Sequence, residues 1–489
     1  AVQVVANVDL HMPGLNLNAT LTTTAGGLTT ITNSGVASIG GNITSAGNLL
    51  FAGSGGITLG ANLQTTGAGS SISVNTSTVT ITGDRFLTTN NGSILLDRVL
   101  TNLAQAHTLT LDAGTAQITV DNNVGVNGTE LAGFTVLHAG NVVFSGVAAT
   151  LDVTAVSITN TGSTTFNGAA TIDNSLAVHS GSDIVVNSAI SAAGAGAAID
   201  LQAGAISGTG SVNLTSSGSL LSTAIGSDIQ VQAGATSGNI LLTGLGSNIT
   251  ANDVVTLTAP NGSITGLGTV TGASLQLSAA TGINDGTVSH GGLRTNAGDI
   301  SAVNTQTSIV NIANTHSTLT TVSNLQTVGA DLTFKQTGGG NLSFTGQISS
   351  GSGIVNGGNI WLENSVTGST LTFANTATLS TAAGSGGGLT VSGVTLNFAT
   401  APVFGAGNIT IIGGADYTII DADLTVPGTI QLSARRDVIV RATVTASASG
   451  SDVIINADSD NDGVGGAWID ESALTDAKLV AGHSVQIQG

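Results

Sequence analysis

The chain has 489 residues, with 70 glycines, four prolines and no cysteine, and only 3% of it is aromatic. A compact globule seldom builds its core with so few large side chains, and the absence of cysteine removes disulfide frameworks, thiolate metal sites and cysteine nucleophiles. Its 27 acidic residues stand against 8 basic ones, a formal charge of −19, so there is no basic stripe for a nucleic-acid backbone and little attraction to an anionic membrane.

A hydrophobic content of 40% and sustained apolar/polar alternation argue against disorder. No apolar run approaches the length of a membrane span. The first residue is Ala1 with no signal peptide behind it, as expected of a processed protein or of a piece of a larger one.

Residues 1–25 open with the alternating run AVQVVANVDLHM and continue in Asn/Thr-rich coils. This segment is expected to be a strand and first coils able to contact a neighbouring subunit. From 26 to 455 the grammar is steady: a Gly corner, then Asn, Asp or Ser, then Ile, Leu or Val entering a strand. Gly41-Asn42-Ile43, Gly140-Asn141-Val142, Gly238-Asn239-Ile240, Gly298-Asp299-Ile300, Gly340-Asn341-Leu342, Gly358-Asn359-Ile360 and Gly407-Asn408-Ile409 follow it. Asn and Asp tolerate left-handed backbone angles and hydrogen-bond nearby amides, and stacked Asn side chains can form ladders.

The sequence also copies itself. Gln202 to Gly208 returns as Gln232 to Gly238, Thr243 to Gly246 as Thr265 to Gly268, and Val255 to Ala259 in pattern as Leu275 to Ala279, at spacings of 30, 22 and 20 residues. Two-residue alternation is a strand with one buried face, and self-similarity at such spacings marks a solenoid. The expected fold is all-β, a single-stranded parallel β-helix of either hand, with coils of about 20–24 residues and excess residues bulging at the corners. Coils of about 22 residues at roughly 4.8 Å each would stack some 22 deep, to about 100 Å. Leu96, Val99, Leu100 and Leu103 break the pattern at helical spacing, so a short decorating helix and an irregular coil both stay open there.

Residues 456–489 are expected to be terminal coils bearing an acidic loop. Asp458, Asp460 and Asp462 alternate before Gly463, the first half of a calcium loop, in which several hard oxygens converge and Gly permits the sharp turn. Val464 would add a backbone carbonyl. An EF-hand would then place Glu where this chain has Ile469, so Asp470 or Glu471 would have to close the shell by another path. The alternative is a solvated acidic loop without an ion.

Other candidates are weaker. Glu occurs only at Glu130, Glu363 and Glu471, and Asp421 and Asp423, spaced to share a strand face, suit a solvent-facing pair better than catalysis. The histidines His11, His107, His138, His179, His290, His316 and His483 sit apart as surface or corner residues. Trp361 and Trp468 could offer rings to sugars, but single Trp residues in alternating sequence are more often packed. Thr-x-Thr runs such as Thr78 to Thr82 are scattered, unlike the regular face of an ice-binding solenoid, and reflect β-propensity.

The strands Leu275 to Ile283 and Ile430 to Val440 resemble the repeats of filamentous-haemagglutinin-like secreted adhesins and related autotransporter passengers of Gram-negative bacteria. That resemblance implies a right-handed parallel β-helix, export to the cell surface, a role in adhesion, matrix or surface architecture, and no catalytic residues. The expected function is therefore an extracellular structural or adhesive solenoid without enzymatic activity, self-associating head to tail into a filament, with host or cell-surface glycans as possible partners. A carbohydrate-binding or polysaccharide-degrading β-helix is the alternative.

Overall fold

A computed structural model describes residues 2–4, 7–101, 107–126, 128–146, 151–287, 291–351, 357–364, 366, 369–374, 376–380, 388–398, 407–470 and 477–489, with the backbone alone at 100–101, 394–398 and 412–416. Two compact units form, Ala1–Asp253 and Val254–Gly489. Each is a parallel β-solenoid, and together they hold about 18 turns. Among the described residues every named element is a strand.

Three short strands make one coil. In the first unit, Leu21–Thr23, Thr29–Asn33 and Ala37–Ile39 stack in parallel on Ile43–Ser45, Leu49–Ala52 and Ile57–Leu59, three strands further along the chain. Alternation decides which way each side chain points: Ile31, Ile39 and Ile43 are fully buried while the intervening Thr30, Ser38 and Thr44 stay half-buried outside. Two of the copies seen in the sequence are stacked neighbours. Gln202 pairs with Gln232 in the first unit, and Val255 with Leu275 in the second.

Coils are longer and less even than expected. The step from one coil to the next is 20 residues from Asn42 to Asn62, 28 from Asp183 to Ser211 and 32 from Asp452 to Ser484. That spread is why the turns number about 18 rather than the roughly 22 that a uniform coil of about 22 residues would give. The helix considered at Leu96 to Leu103 does not form over Leu96, Val99 and Leu100: Ile94–Leu96 and Val99–Thr101 are strands, and Leu103 lies outside the described residues. Helical spacing there arises because two short strands meet at a corner with Leu96 and Val99 both facing inward, each at most 1% exposed.

The interior is filled by stacked Val, Ile, Leu and Ala, with an aromatic stack in each unit. Phe144 lies 5.9 Å from Phe134 and 4.9 Å, face to face, from Phe166. In the second unit Phe344 lies 6.1 Å from Phe334 and 5.1 Å from Phe373. Each buried ring contributes roughly 1.5–3 kcal/mol by burial alone.

Corners are held by Asn and Asp, as expected, though chiefly through backbone amides. The Asn62 amide donates to Asn42 Oδ1 at 3.0 Å, the Ser163 amide to Asn141 Oδ1 at 2.8 Å, and the Thr370, Gly388 and Thr429 amides to Oδ1 of Asn341, Asn359 and Asn408 at 3.0, 3.1 and 3.0 Å. Each side chain thus carries the hydrogen-bond ladder past a corner where strand pairing stops. Asn42, Asn141, Asn341, Asn359 and Asn408 do not use left-handed angles; among the described residues only Asn91, Asp458 and Asn461 do so without being Gly. The Gly before such an Asn answers to crowding instead: a Cβ on Gly140 would lie 2.3 Å from the Thr115 carbonyl oxygen of the coil below.

Candidate metal centre and the face beside it

The acidic loop is a corner insertion in the second unit. Residues 434–436 join Ile430–Ser433 to Asp437–Val440, whereas one coil on residues 457–466 join Asp452–Asn456 to Ala467–Ile469. The seven additional residues bulge outward and bring carboxylate oxygens of Asp458, Asp460 and Asp462 within 4.8 Å of one another.

The loop folds around Asp458, whose Oδ1 accepts the Asp462 amide at 3.0 Å and whose Oδ2 accepts the Gly463 amide at 3.1 Å. Asp462 Oδ1 accepts the Val464 amide at 2.8 Å. Asp458, Asn461 and Gly463 take left-handed angles, with φ of 50°, 57° and 81°, which residues of these types tolerate best. The base of the loop is tied to the short corner beneath, since the Asp458 and Ser459 amides donate to the Arg436 and Ala434 carbonyls, both at 3.0 Å. From that corner Arg435 Nε donates to Asp460 Oδ2 at 2.8 Å, and this hydrogen bond holds the Asp460 carboxyl below its ordinary value.

In kind, these donors fit a hard divalent cation. In number, three carboxylates giving one oxygen each supply at most half of the roughly six to eight oxygens that calcium takes, and Arg435 already shares one of them. Val464 lies in the same turn. Asp470 is drawn elsewhere, its Oδ2 lying 3.8 Å from Arg441 Nε. Glu471 lies outside the described residues.

Beside the loop, the outer sheet face carries Trp468. Its Nε1 donates to Asp437 Oδ1 at 3.2 Å, an oxygen that also accepts the Gly466 amide at 2.9 Å. Asp437, Ile439, Arg441, Trp468, Ile469 and Asp470 line one open depression there. Both tryptophans are exposed rather than packed, and Lys335 Nζ sits 5.5 Å from the Trp361 ring centre while pairing with Glu363 at 3.4 Å.

The remaining sequence candidates serve the stacking. Asp423 Oδ1 accepts the Thr443 amide at 2.8 Å, and Asp421 pairs with Arg441 at 3.3 Å. His138, His179 and His483 pair with Asp112, Asp200 and Asp452 of adjoining coils, and His316 Nδ1 meets Asn296 at 3.1 Å. His290 lies outside the described residues.

Two features escaped the sequence reading. Burial, together with nearby Glu130 and Asp173, raises the Asp152 carboxyl above its ordinary value; these residues sit about one coil apart, a spacing recognisable only once the register is known. The other is the coil made of Ala467–Ile469, Lys478–Ala481 and Ser484–Gln488. Val485 and Ile487 face inward like their stacked partners Val453 and Ile455, yet they are 42% and 50% exposed where those partners are fully buried.

Fold and site together define a parallel β-solenoid with an acidic corner loop and an uncovered apolar coil. No protein-family model, curated protein or solved structure matches the chain.

Proposed function

We propose that this chain is an extracellular structural or adhesive solenoid, of the filamentous-haemagglutinin-like kind and without enzymatic activity, that builds filaments by stacking coil on coil, head to tail. The observation that carries this reading is that each coil's apolar face is closed by the coil stacked on it, as Val485 and Ile487 cover the fully buried Val453 and Ile455. A coil supplied by another copy can extend the stack in the same way, as on the coil at Ala467 to Gln488. Its inward-facing Ile469, Val485 and Ile487 are about half exposed, and the outer edge of Ser484–Gln488 pairs with no strand among the described residues. Apolar side chains at that spacing gain burial, and the edge gains hydrogen bonds, when another coil settles on them. The strand Val2–Val4 offers a matching surface: it pairs with Leu21–Thr23 on one side, and Val2 is about half exposed. A second copy presenting that strand makes a heterologous contact, which repeats into an open fibre.

In this reading calcium is a structural ion of the Asp458, Asp460 and Asp462 loop. It neutralises charge on a chain of formal charge −19 and stiffens the corner next to the uncovered coil.

Sedimentation velocity over a wide concentration range tests the proposal. The wild-type sedimentation coefficient should rise with concentration, and Ile487→Asp, which alters an already exposed side chain, should hold it constant. A wild-type protein that sediments as one unchanging species with calcium present would overturn the reading.

A further inference from the structure

Trp468 is 61% exposed on a face otherwise built from smaller side chains, and it is held in place. Its Nε1 donates to Asp437 Oδ1 at 3.2 Å, which tethers the polar edge of the indole and leaves apolar ring to the solvent. At its margin Arg441 Nε stands 3.8 Å from Asp470 Oδ2, and Arg441 Nη1 lies 3.3 Å from Asp421 Oδ1. Ile439, the stacked partner of Trp468 on the same outer face, completes the depression. A tethered aromatic plate thus lies beside a guanidinium, which only donates hydrogen bonds, and a carboxylate, which only accepts them.

We infer that this depression is a binding subsite for a neutral pyranose ring of a polysaccharide. The C–H face of such a ring is apolar and flat, matching an indole, and the hydroxyls at its rim act as donor and acceptor at once. One hydroxyl donates to Asp470 while its neighbour accepts from Arg441. Charge selects against acidic sugars, since Asp421, Asp437 and Asp470 outnumber Arg441 around the ring. The shallow, open shape suits one residue of an extended chain lying across the sheet. Trp361 is not equivalent, because Lys335 covers its ring and is paired in turn with Glu363. The inference stands apart from head-to-tail stacking, which uses the inward face of the coil, although a sugar contact would give the adhesive reading its ligand.

The test uses the full chain with maltohexaose and cellohexaose as neutral probes and an oligogalacturonate as the acidic comparison. In Trp361→Phe, where Trp468 is the sole tryptophan, a neutral probe should shift the tryptophan emission excited at its red edge, where Tyr417 does not absorb. Calorimetry should show binding by wild type and Trp361→Phe, weakened about tenfold or more in Trp468→Ala, or ~1.4 kcal/mol, partly restored in Trp468→Phe, and weaker still for the acidic probe. An unchanged unfolding midpoint in Trp468→Ala separates lost binding from lost structure. Absence of binding by either neutral probe, or equal binding by Trp468→Ala, overturns the inference. So does a Trp468→Ala variant that binds sugar normally but fails to self-associate, which would make the ring a subunit contact.

Discussion

At Asn141 a single side chain does the work of a missing strand residue. Its Oδ1 accepts both the amide and the hydroxyl of Ser163, at 2.8 and 3.2 Å, across one corner. Asn141→Ala leaves that amide to water and should cost about 0.5–1.5 kcal/mol in urea unfolding; an unchanged midpoint would mean the corner ladders are incidental. Asp152 works in the opposite sense. Because burial, Glu130 and Asp173 raise its folded value, what it adds to stability is complete below the ordinary value of about 4 and is lost as pH rises through the raised value. Asp152→Asn should therefore raise the unfolding midpoint at neutral pH, with the gain disappearing below about pH 4. At the acidic loop, calorimetry should show weak calcium uptake, on the order of 10⁻⁴–10⁻³ M, abolished in Asp458→Asn. Arg435→Gln, which releases Asp460 from its 2.8 Å ion pair, should bind calcium a few-fold tighter. Tightening by Arg435→Gln is the sharper check, because a loop that holds no ion would gain nothing from it.

At the level of the strand and the coil, much was legible beforehand. Parallel stacking follows from alternation and from copies such as Gln202 and Gln232, whose spacing is the register itself. Over Leu96 to Leu100 the helical alternative failed because periodicity over so few residues cannot tell a helix from two strands meeting at a bend; the buried Leu96 and Val99 lie on either side of that bend. Coil length misled for a related reason. Strands repeat their pattern, but corners accept insertions without changing it, as residues 457–466 do in place of 434–436. The triad Asp458, Asp460 and Asp462 was readable because its members are local in sequence, whereas Arg435 on Asp460 and Asp437 on Trp468 join residues 25 and 31 apart and need the register. The Phe134, Phe144 and Phe166 stack gives this level its own prediction. Phe144→Ala removes the middle ring and should cost about 3–5 kcal/mol. Since solenoid coils contact only their neighbours, hydrogen exchange should quicken around Ile118 to Val186 and stay unchanged in the coils near Leu21 to Leu63.

For the molecule as a whole, two terms set whether copies join. A formal charge of −19 opposes association, and the apolar coil carrying Ile469, Val485 and Ile487 favours it. Salt screens the first and leaves the second, so association should strengthen with ionic strength, and calcium should add to it through the aspartate loop. Electron microscopy of the purified chain at rising concentration, first with calcium and then with chelator, tests the stacking most directly. The account predicts filaments that lengthen with concentration, shorten in chelator and fail to form with Ile487→Asp. Separate single particles under every one of these conditions would contradict it.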